Sequence, residues 1–378
     1  MKILMLSTYP SLMDGINRHI LSIAPSLNRL PDCEVAVCTV FKRAEFVIEL
    51  EMRGVKCYTL DSTSGHDFRI LKDFYRVMKD FNPNIVHSHT LPLFERIVIA
   101  TCFRNVKNVI TIHGLVDKVK HVPLNLRMEA LFSNIFTIHF DATCYISNGV
   151  RQKKEEEDGI QMNSHIVYNP LAFGDTSTKT YALHDELGVT HQTPIVGTCC
   201  RLAAVKNPVA FTEIMCKILE RMPSAHAVIV GDGSDEIKAT INDIISCYNE
   251  VERFHMLGYR TDGPKLVRDF NCFIMTSISE GMPTSLLECM AGKTPFAMME
   301  GFGGLIDIAK INKEDGPIGI IVPKGNINQM ADEIIMHLKK PEIFSKLTNK
   351  AYEIGKKYFD TSSIVKQLYS IYKGVCEA

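Results

Sequence analysis

Two glutamates in the second half of the sequence, Glu280 and Glu288, are candidates for catalysis or ligand binding. Seven residues separate them, across an expected junction between a loop and a helix. Paired carboxylates act as the acid and base of a glycosidase when both flank one bond and one of them is buried. Glu280 lies on a glycine-flanked loop, however, and Glu288 lies in an otherwise apolar helical pattern, where a carboxylate is costly unless it has a partner. Ribose hydroxyl groups are suitable partners, so ligand binding is the preferred interpretation.

The segment between the two glutamates is expected to bind an anion. Gly281, Met282 and Pro283 lead into the helix, and proline suits the first helical turn. The N–H groups from Thr284 to Leu286 would then be unbonded at the positive end of the helix. This position suits a diphosphate.

Arg201 and Lys206 place two cations within one predicted strand-to-helix loop, after the strand Ile195–Cys199. Arginine holds phosphate through its planar fork and lysine as a point charge, so the pair can hold a diphosphate. Ligands of open α/β sheets bind outside the carboxyl ends of the strands, where this loop and the Glu280 segment are both expected. Two solvated surface cations are the alternative interpretation.

The first half of the sequence contributes Gly15 and His113. Gly15 can let the backbone approach a phosphate at a helix start, although a left-handed turn glycine explains it equally well. The loop that contains it lacks the G-x-G-x-x-G spacing of a dinucleotide fingerprint, which disfavours a nicotinamide or flavin enzyme. His113 ends a predicted strand, where an imidazole can bond a sugar hydroxyl or a reacting group, or serve a structural role.

Strand and helix patterns alternate twice along the chain, which predicts two doubly wound parallel sheets. A length of 378 residues also favours two domains. Their predicted bounds are 1–172 and 190–358, with a polar stretch at about 174–180 between them, and the pattern after Asn326 is almost entirely helical. The strands predicted in the first half are Ile3–Ser7, Glu34–Thr39, Lys56–Leu60, Ile85–His89, Val109–His113, Ala142–Ile146 and His165–Tyr168. Those predicted in the second half are Ile195–Cys199, Ala227–Val230, Phe254–Leu257, Cys272–Thr276, Thr294–Ala297 and Gly319–Val322.

The overall composition excludes several classes of protein. The 42 Lys and Arg residues nearly cancel the 43 Asp and Glu residues, so the net charge does not favour nucleic acid. No run approaches the roughly 20 apolar residues of a membrane span, and the first apolar run is too short for a signal segment. We therefore expect a cytoplasmic protein. The twelve cysteines lack a CxxC pair, and we expect them to be reduced residues of the core.

The order of these motifs resembles that of the retaining glycosyltransferases of the GT-B fold, specifically family 4, which includes many bacterial surface-polysaccharide enzymes. The resemblance covers nearly the whole chain. It is carried by Asp14-Gly15, Val86–His89, Thr111–Gly114, Val167–Pro170, Gly197 with Arg201 and Lys206, Val230–Gly233, Leu257-Gly258 and Glu280–Glu288. This sequence departs from the family pattern in three places. Asp14 stands where the family often has glycine, and Asp307 stands where glutamate is usual. The strand before Arg201 ends in Cys199-Cys200, which is also unusual for the family.

The resemblance implies two Rossmann-like domains that face a cleft. The first would bind the acceptor and the second the nucleotide-sugar donor. The C-terminal helix, at about 359–378, would cross back to the first domain, and His113 of that domain would lie near the donor sugar.

The resemblance also implies a role for each candidate residue of the second domain. Arg201 and Lys206 would hold the donor diphosphate. Glu280 would contact hydroxyl groups of the donor sugar, Glu288 would contact the ribose, and the backbone around Tyr259 would contact the base.

The implied reaction moves a hexosyl group from a nucleoside-diphosphate sugar, with UDP favoured over GDP, to a glycan or lipid-linked oligosaccharide in surface-polysaccharide synthesis. Retention of anomeric configuration is implied by the resemblance alone. The sequence contains no D-x-D triplet, so we expect metal-independent activity without a cofactor.

Two alternatives remain open at this stage. One is a sugar-nucleotide epimerase of the GT-B type, and the other is a non-catalytic sugar-nucleotide-binding subunit. The basic residues Lys118, Lys120, His121 and Arg127 are expected either to contact anionic lipid at the inner membrane face or to be ordinary solvated charges.

Overall fold

Runs of β-branched and other apolar residues form two separate all-parallel sheets, as the alternation of patterns predicts. The computed structural model describes residues 1–8, 15–40, 45–61, 69–90, 92–114, 138–159, 161–174 and 179–378. These residues form two units. Unit 1 is Met1–Pro170 with Thr361–Ala378, and unit 2 is Leu171–Asp360.

Unit 1 contains a sheet with the strand order β3-β2-β1-β4-β5-β6-β7. Its strands are β1 (Lys2–Ser7), β2 (Glu34–Thr39), β3 (Lys56–Thr59), β4 (Ile85–Ser88), β5 (Lys107–Ile112), β6 (Ala142–Tyr145) and β7 (Ser164–Ile166). Its described helices before the chain end are α1 (Gly15–Asn28), α2 (Glu45–Met52), α3 (Arg69–Phe81), α4 (Leu93–Cys102) and α5 (Asn148–Asp158). Ile3, Leu4 and Met5 are all fully buried, because both faces of a parallel sheet are covered.

Unit 2 contains a second sheet with the strand order β10-β9-β8-β11-β13-β15. Its strands are β8 (Ile195–Cys199), β9 (His226–Val230), β10 (Phe254–Met256), β11 (Cys272–Met275), β13 (Phe296–Met299) and β15 (Ile320–Val322), and a separate short pair is formed by β12 (Ser279–Glu280) and β14 (Phe302–Gly303). Its helices are α6 (Ala182–Leu187), α7 (Pro208–Arg221), α8 (Asp235–Cys247), α9 (Gly263–Leu266), α10 (Thr284–Gly292), α11 (Gly304–Glu314), α12 (Ile327–Leu338) and α13 (Pro341–Phe359).

The last helix, α14 (Thr361–Glu377), belongs to unit 1 although it follows unit 2 in sequence. Its apolar residues recur every three or four positions at Ile364, Leu368, Tyr372 and Val375, and all four are buried in the core beside α1. The prediction that the C-terminal helix crosses back to the first domain is confirmed. The long helical tail therefore completes the core of unit 1.

The predicted strands are all present, with ends that differ by up to two residues. For example, the strand predicted at Thr294–Ala297 is found at Phe296–Met299. The pair formed by β12 and β14 was not predicted, because two-residue strands leave no periodic pattern. The predicted burial of the cysteines is wrong for Cys102, Cys247 and Cys376, which are exposed, although all twelve cysteines are free.

A buried aspartate fixes the start of α6. Asp269 is fully buried and accepts hydrogen bonds from the N–H groups of Thr180 (2.8 Å), Tyr181 (2.9 Å) and Leu183 (3.1 Å). Tyr181 adopts a left-handed conformation before α6 and offers no side-chain cap of its own. Asp269 thus serves as a capping group from a distant part of the sequence.

Candidate functional site

The order of strands in unit 2 reverses direction between β8 and β11, and ligands of open α/β sheets bind at such a switch point. The loop after β8 contains Arg201 and Lys206, and the loop after β11 leads to Glu280. The two loops are hydrogen-bonded to each other: the Ile278 N–H donates to the Val205 carbonyl (2.8 Å), and the Thr276 hydroxyl donates to the Lys206 carbonyl (3.0 Å). The fold therefore brings together the two predicted site segments, in which Lys206 and Glu280 are 74 residues apart in the sequence.

Lys206 and Glu280 form a direct ion pair. The Lys206 Nζ donates to both carboxylate oxygens of Glu280 at 2.6 Å. The two side chains are 22% and 10% exposed, so the pair is shielded from water and its electrostatic attraction is stronger than that of a surface pair. Each side chain supplies the counter-charge that the other needs, and both charges lie at the switch point.

Glycines in the neighbouring loop allow the Arg201 loop to approach β9. The Cys200 and Leu202 N–H groups donate to the Val230 (3.0 Å) and Asp232 (2.8 Å) carbonyls. A Cβ atom on Gly231 would lie 1.8 Å from the Cys200 carbonyl oxygen, and one on Gly233 would lie 2.2 Å from that of Leu202. The tight turn predicted after β9 is thus required for the backbone contact with the cationic loop.

Another glycine holds the Glu280 segment in place. Glu280 pairs with Gly303 in the short parallel pair β12–β14. Gly303 has a φ of +68°, and a Cβ atom there would lie 2.0 Å from the Glu280 carbonyl oxygen. Only glycine fits both the left-handed backbone and the close approach. Helix α11 begins at the next residue, Gly304.

The anion site predicted at the start of α10 needs correction. Pro283 precedes the helix, which begins at Thr284, instead of occupying its first turn. The Thr284 N–H donates to the Met282 carbonyl (2.9 Å), and the Leu286 N–H donates to the Pro283 carbonyl (2.9 Å). Two of the three N–H groups that were expected to be unbonded are therefore occupied, because the backbone turns tightly at Met282 and Pro283.

The other candidates of unit 2 differ in exposure. Arg201 is exposed, and none of the ion pairs within the described ranges includes it. Tyr259 is 63% exposed and follows Gly258 at the end of β10, where a flat ring can stack on a base. Glu288 is half-buried on α10, and Met282 is buried. The Met282 side chain therefore packs against the protein.

His113 of unit 1 belongs to a group of four histidines, of which the sequence indicated only one. His19, His87 and His89 are buried, and His113 is half-buried. Its Nε2 lies 2.8 Å from the His89 Nδ1. The ring of His89 lies against that of His87, with centroids 4.3 Å apart, and the ring of His19 meets that of His113 edge to face, with centroids 5.0 Å apart. The pattern Val86-His87-Ser88-His89 at a strand end was the signal available, because residues two apart on a strand point to the same face.

Burial keeps these four imidazoles neutral. It lowers the pKa of His19 to about 4 and that of His87 to about 3. Burial also lowers the pKa of His89 and of His113 well below the usual value, and the neighbouring rings add to the effect. A neutral imidazole both donates and accepts a hydrogen bond, so His113 is suited to binding oxygen atoms.

The remaining sequence predictions concern unit 1 and metal or membrane binding. Gly15 begins α1. The basic residues Lys118, Lys120, His121 and Arg127 lie outside the described residues. Within the described ranges, no group of three or more histidine, cysteine, aspartate or glutamate side chains is arranged to hold a metal ion. None of the described helices combines the length and the apolar character needed to cross a membrane.

Two family models match the chain, one in each half. Residues 13–172 match the model described as glycosyltransferase family 4, and residues 181–357 match the one described as glycosyl transferases group 1. The match to the group 1 model contains Arg201, Lys206, Glu280 and Glu288.

Curated relatives are similar to parts of the chain. A poly(ribitol-phosphate) alpha-N-acetylglucosaminyltransferase of Staphylococcus aureus is 26% identical over 178 residues, which cover 47% of this chain and 35% of the relative. A UDP-Gal:alpha-D-GlcNAc-diphosphoundecaprenol alpha-1,3-galactosyltransferase of Escherichia coli is 26% identical over 242 residues, which cover 61% of each chain. The chain thus spans about one third to two thirds of the length of these relatives.

A solved structure is similar over the full length. Alr3699/HepE of Anabaena, determined in complex with UDP, has a TM-score of 0.79 and 18% sequence identity, and the match covers 99% of this chain and 100% of that one. At this identity the likeness concerns the fold, which is GT-B. With both family matches, it follows that the chain belongs to the GT-B glycosyltransferases, with a family 4 domain in its amino-terminal half and a group 1 domain in its carboxyl-terminal half.

Proposed function

We propose that this chain is a hexosyltransferase, which moves a hexosyl group from a UDP-sugar to a hydroxyl group of a glycan or lipid-linked oligosaccharide. The observation that carries the proposal is the Lys206–Glu280 ion pair at the switch point of unit 2, with the exposed Arg201 in the same loop. Such an arrangement offers two cations for a diphosphate and a carboxylate for sugar hydroxyls.

The reaction needs stabilisation of the departing diphosphate. Charge builds on its oxygen atoms as the bond to the sugar breaks. Lys206 is held in place by Glu280 before that charge develops, and Arg201 adds a second cation from the same loop. When the diphosphate engages Lys206, Glu280 becomes available to accept hydrogen bonds from the hexosyl hydroxyls. Glu288 contacts the ribose in this scheme, and the backbone around Tyr259 contacts the base.

Retention of configuration follows if the acceptor attacks on the face that the diphosphate leaves. The bond between the anomeric carbon and the phosphate oxygen breaks, the bond to the acceptor oxygen forms, and the leaving phosphate oxygen takes the acceptor proton. No side chain has to act as a base in this scheme. His113 of unit 1 contributes a hydrogen bond to a substrate in this scheme.

The identity of the donor and acceptor is supported by the names of similar proteins. The Anabaena protein was also solved with UDP-glucose, which favours UDP over GDP as the nucleotide. The Staphylococcus aureus and Escherichia coli relatives are named for a poly(ribitol-phosphate) and for a diphosphoundecaprenol-linked sugar. A role in surface-polysaccharide synthesis at the cytoplasmic membrane face, with peripheral membrane contact, is consistent with acceptors of this kind.

An acceptor-dependent transfer assay tests the proposal. Purified protein is incubated with UDP-glucose, UDP-galactose or the corresponding GDP-sugars, with and without diphosphoundecaprenol-linked N-acetylglucosamine. The expected result is UDP release that requires the acceptor, and a product heavier by one hexosyl residue with the anomeric configuration of the donor.

Two outcomes would contradict the proposal. Formation of an epimeric sugar nucleotide without acceptor would identify an epimerase. Unchanged polysaccharide synthesis in cells that carry both Glu280→Ala and Lys206→Ala would identify a non-catalytic subunit.

A further inference from the structure

The histidines of unit 1 have a hydrogen-bonding pattern that the proposed reaction does not by itself explain. His87 bonds two hydroxyl groups, that of Tyr372 through Nδ1 (2.6 Å) and that of Thr111 through Nε2 (2.7 Å). His19 and His89, in contrast, each use only Nδ1. The Nε2 atoms of both rings are buried and have no hydrogen-bond partner in the described part of the chain.

The hydrogen-bond partner of His19 determines which ring nitrogen carries the proton. Its Nδ1 lies 3.1 Å from Oδ1 of the buried Asn169. An amide oxygen only accepts hydrogen bonds, so the His19 Nδ1 carries the proton. The unpartnered Nε2 atom of His19 therefore carries a lone pair and no proton. Protein interiors tolerate an unpartnered acceptor better than an unpartnered buried N–H group.

The burial of the His89 Nε2 determines where the proton of His89 lies. Its Nδ1 lies 2.8 Å from Nε2 of His113, and one of these two atoms must donate to the other. If His113 donated, the proton of the neutral His89 would lie on its buried Nε2, and an N–H group would be left without an acceptor. If His89 donates, its Nε2 is a bare lone pair, as in His19.

We propose that His89 is a positioning residue, which donates from Nδ1 to Nε2 of His113 and thereby holds His113 in the tautomer with its proton on Nδ1. No described residue accepts a hydrogen bond from the His113 Nδ1. This N–H group is therefore a fixed donor for an oxygen atom of a ligand. The neutral state that burial enforces on both rings is consistent with this assignment.

The consequence for the reaction rests on the proposed function. A His113 with its proton on Nδ1 donates a hydrogen bond to an oxygen of a substrate, and it has no lone pair at that atom with which to remove a proton. Its contribution is orientation of that substrate. Tyr372 of the C-terminal helix supports the histidine rings through the hydrogen bond between its hydroxyl group and His87. The ring centroids of His87 and Tyr372 are 5.7 Å apart.

Nitrogen NMR of the full-length protein tests the tautomer directly. The protein is labelled with ¹⁵N-histidine, and the ring signals of His113 are identified by their loss in His113→Ala. The expected spectrum at pH 7 shows a protonated Nδ1 and a bare Nε2 for His113, and a protonated Nδ1 for His89. A His113 with its proton on Nε2 would overturn the proposal.

Kinetics with two variants at position 89 test the positioning role. His89→Asn keeps an N–H group close to the position of Nδ1, and we expect its kcat to stay within a few-fold of the wild-type value. His89→Leu removes the donor, and we expect a loss of about 10- to 100-fold, the range that supporting partners of functional histidines typically contribute. In a His113→Ala background, His89→Leu should cause no further loss.

The outcomes separate this inference from the proposed function. Equal losses in His89→Asn and His89→Leu, or a full additional loss in the His113→Ala background, would overturn the positioning role. Circular dichroism and thermal unfolding of each variant identify a loss that arises from misfolding. The NMR result does not depend on turnover, so an inactive wild-type protein with the expected tautomer would contradict only the proposed function.

Discussion

At the scale of single residues, the Lys206–Glu280 pair explains how one site can be stable without a ligand and still bind one. Each charge is only 22% or 10% exposed, and an uncompensated charge in such a position is costly. A nucleotide-sugar donor gives each residue a new partner: its diphosphate binds Lys206, and its sugar hydroxyl groups bind Glu280. The two residues should therefore make separable contributions to nucleotide binding and to turnover.

Glu280→Gln tests this separation. The amide keeps a hydrogen bond to Lys206 but removes the negative charge that competes with the diphosphate. We expect UDP to bind at least as tightly as to the wild-type protein, and kcat/KM for the UDP-sugar to fall by about 100-fold, as for the loss of one charged group that acts on the transition state. The matched control is Glu252→Gln, which changes an exposed glutamate of the same unit. Weaker UDP binding with unchanged turnover would contradict the assignment.

The buried histidines predict how stability depends on pH. Burial lowers the pKa of His19 from 6.5 to about 4, so between these values the unfolded chain binds a proton that the folded chain does not. The free energy of unfolding should therefore decrease as the pH falls from about 6.5 to 4. His19→Gln should reduce this slope by about 1.4 kcal/mol per pH unit, measured by urea unfolding, compared with the exposed His191→Gln as control. An unchanged slope would show that His19 titrates normally.

At the scale of secondary-structure elements, the short pair β12–β14 positions Glu280, and it depends on Gly303. In Gly303→Ala the new Cβ atom would lie 2.0 Å from the Glu280 carbonyl oxygen, so the segment has to move. We expect loss of UDP-sugar turnover. Gly325→Ala is the control, because Gly325 also has a positive φ (+79°) but open space around it. It carries only the backbone strain of about 1–2 kcal/mol. Equal activity of the two variants would contradict this role.

The elements themselves were largely predictable, because strands buried on both faces leave apolar runs that turn residues interrupt. Patterns at strand ends also indicated Arg201, Lys206 and Glu280. The ion pair between Lys206 and Glu280 was not predictable, because it depends on which loops meet at the switch point. The hydrogen-bonded histidines likewise come from α1, β4 and the ends of neighbouring strands. The prediction of unbonded N–H groups at the start of α10 was wrong. The tight turn at Met282 and Pro283 leaves no distinctive periodicity in the sequence, so it was not foreseen.

At the scale of the whole molecule, we predict that activity does not require a divalent metal ion. Two cationic side chains are available for the diphosphate, the sequence has no D-x-D triplet, and the described residues contain no cluster suited to metal binding. Turnover of the UDP-sugar should be the same with and without an excess of EDTA. A loss that added Mg²⁺ or Mn²⁺ restores would contradict the proposed role of Arg201 and Lys206.

The central claim is that the nucleotide sugar binds in unit 2 at the Arg201–Lys206–Glu280 site. Calorimetric titration of UDP into the wild-type protein, Arg201→Met/Lys206→Met and the exposed-lysine control Lys265→Met tests it most directly. We predict that UDP binds the wild-type protein and the control equally and that its affinity falls by about 100-fold or more in the double variant, since each charged hydrogen bond contributes about 1.5–3 kcal/mol. UDP binding of wild-type strength in a folded double variant would contradict the claim.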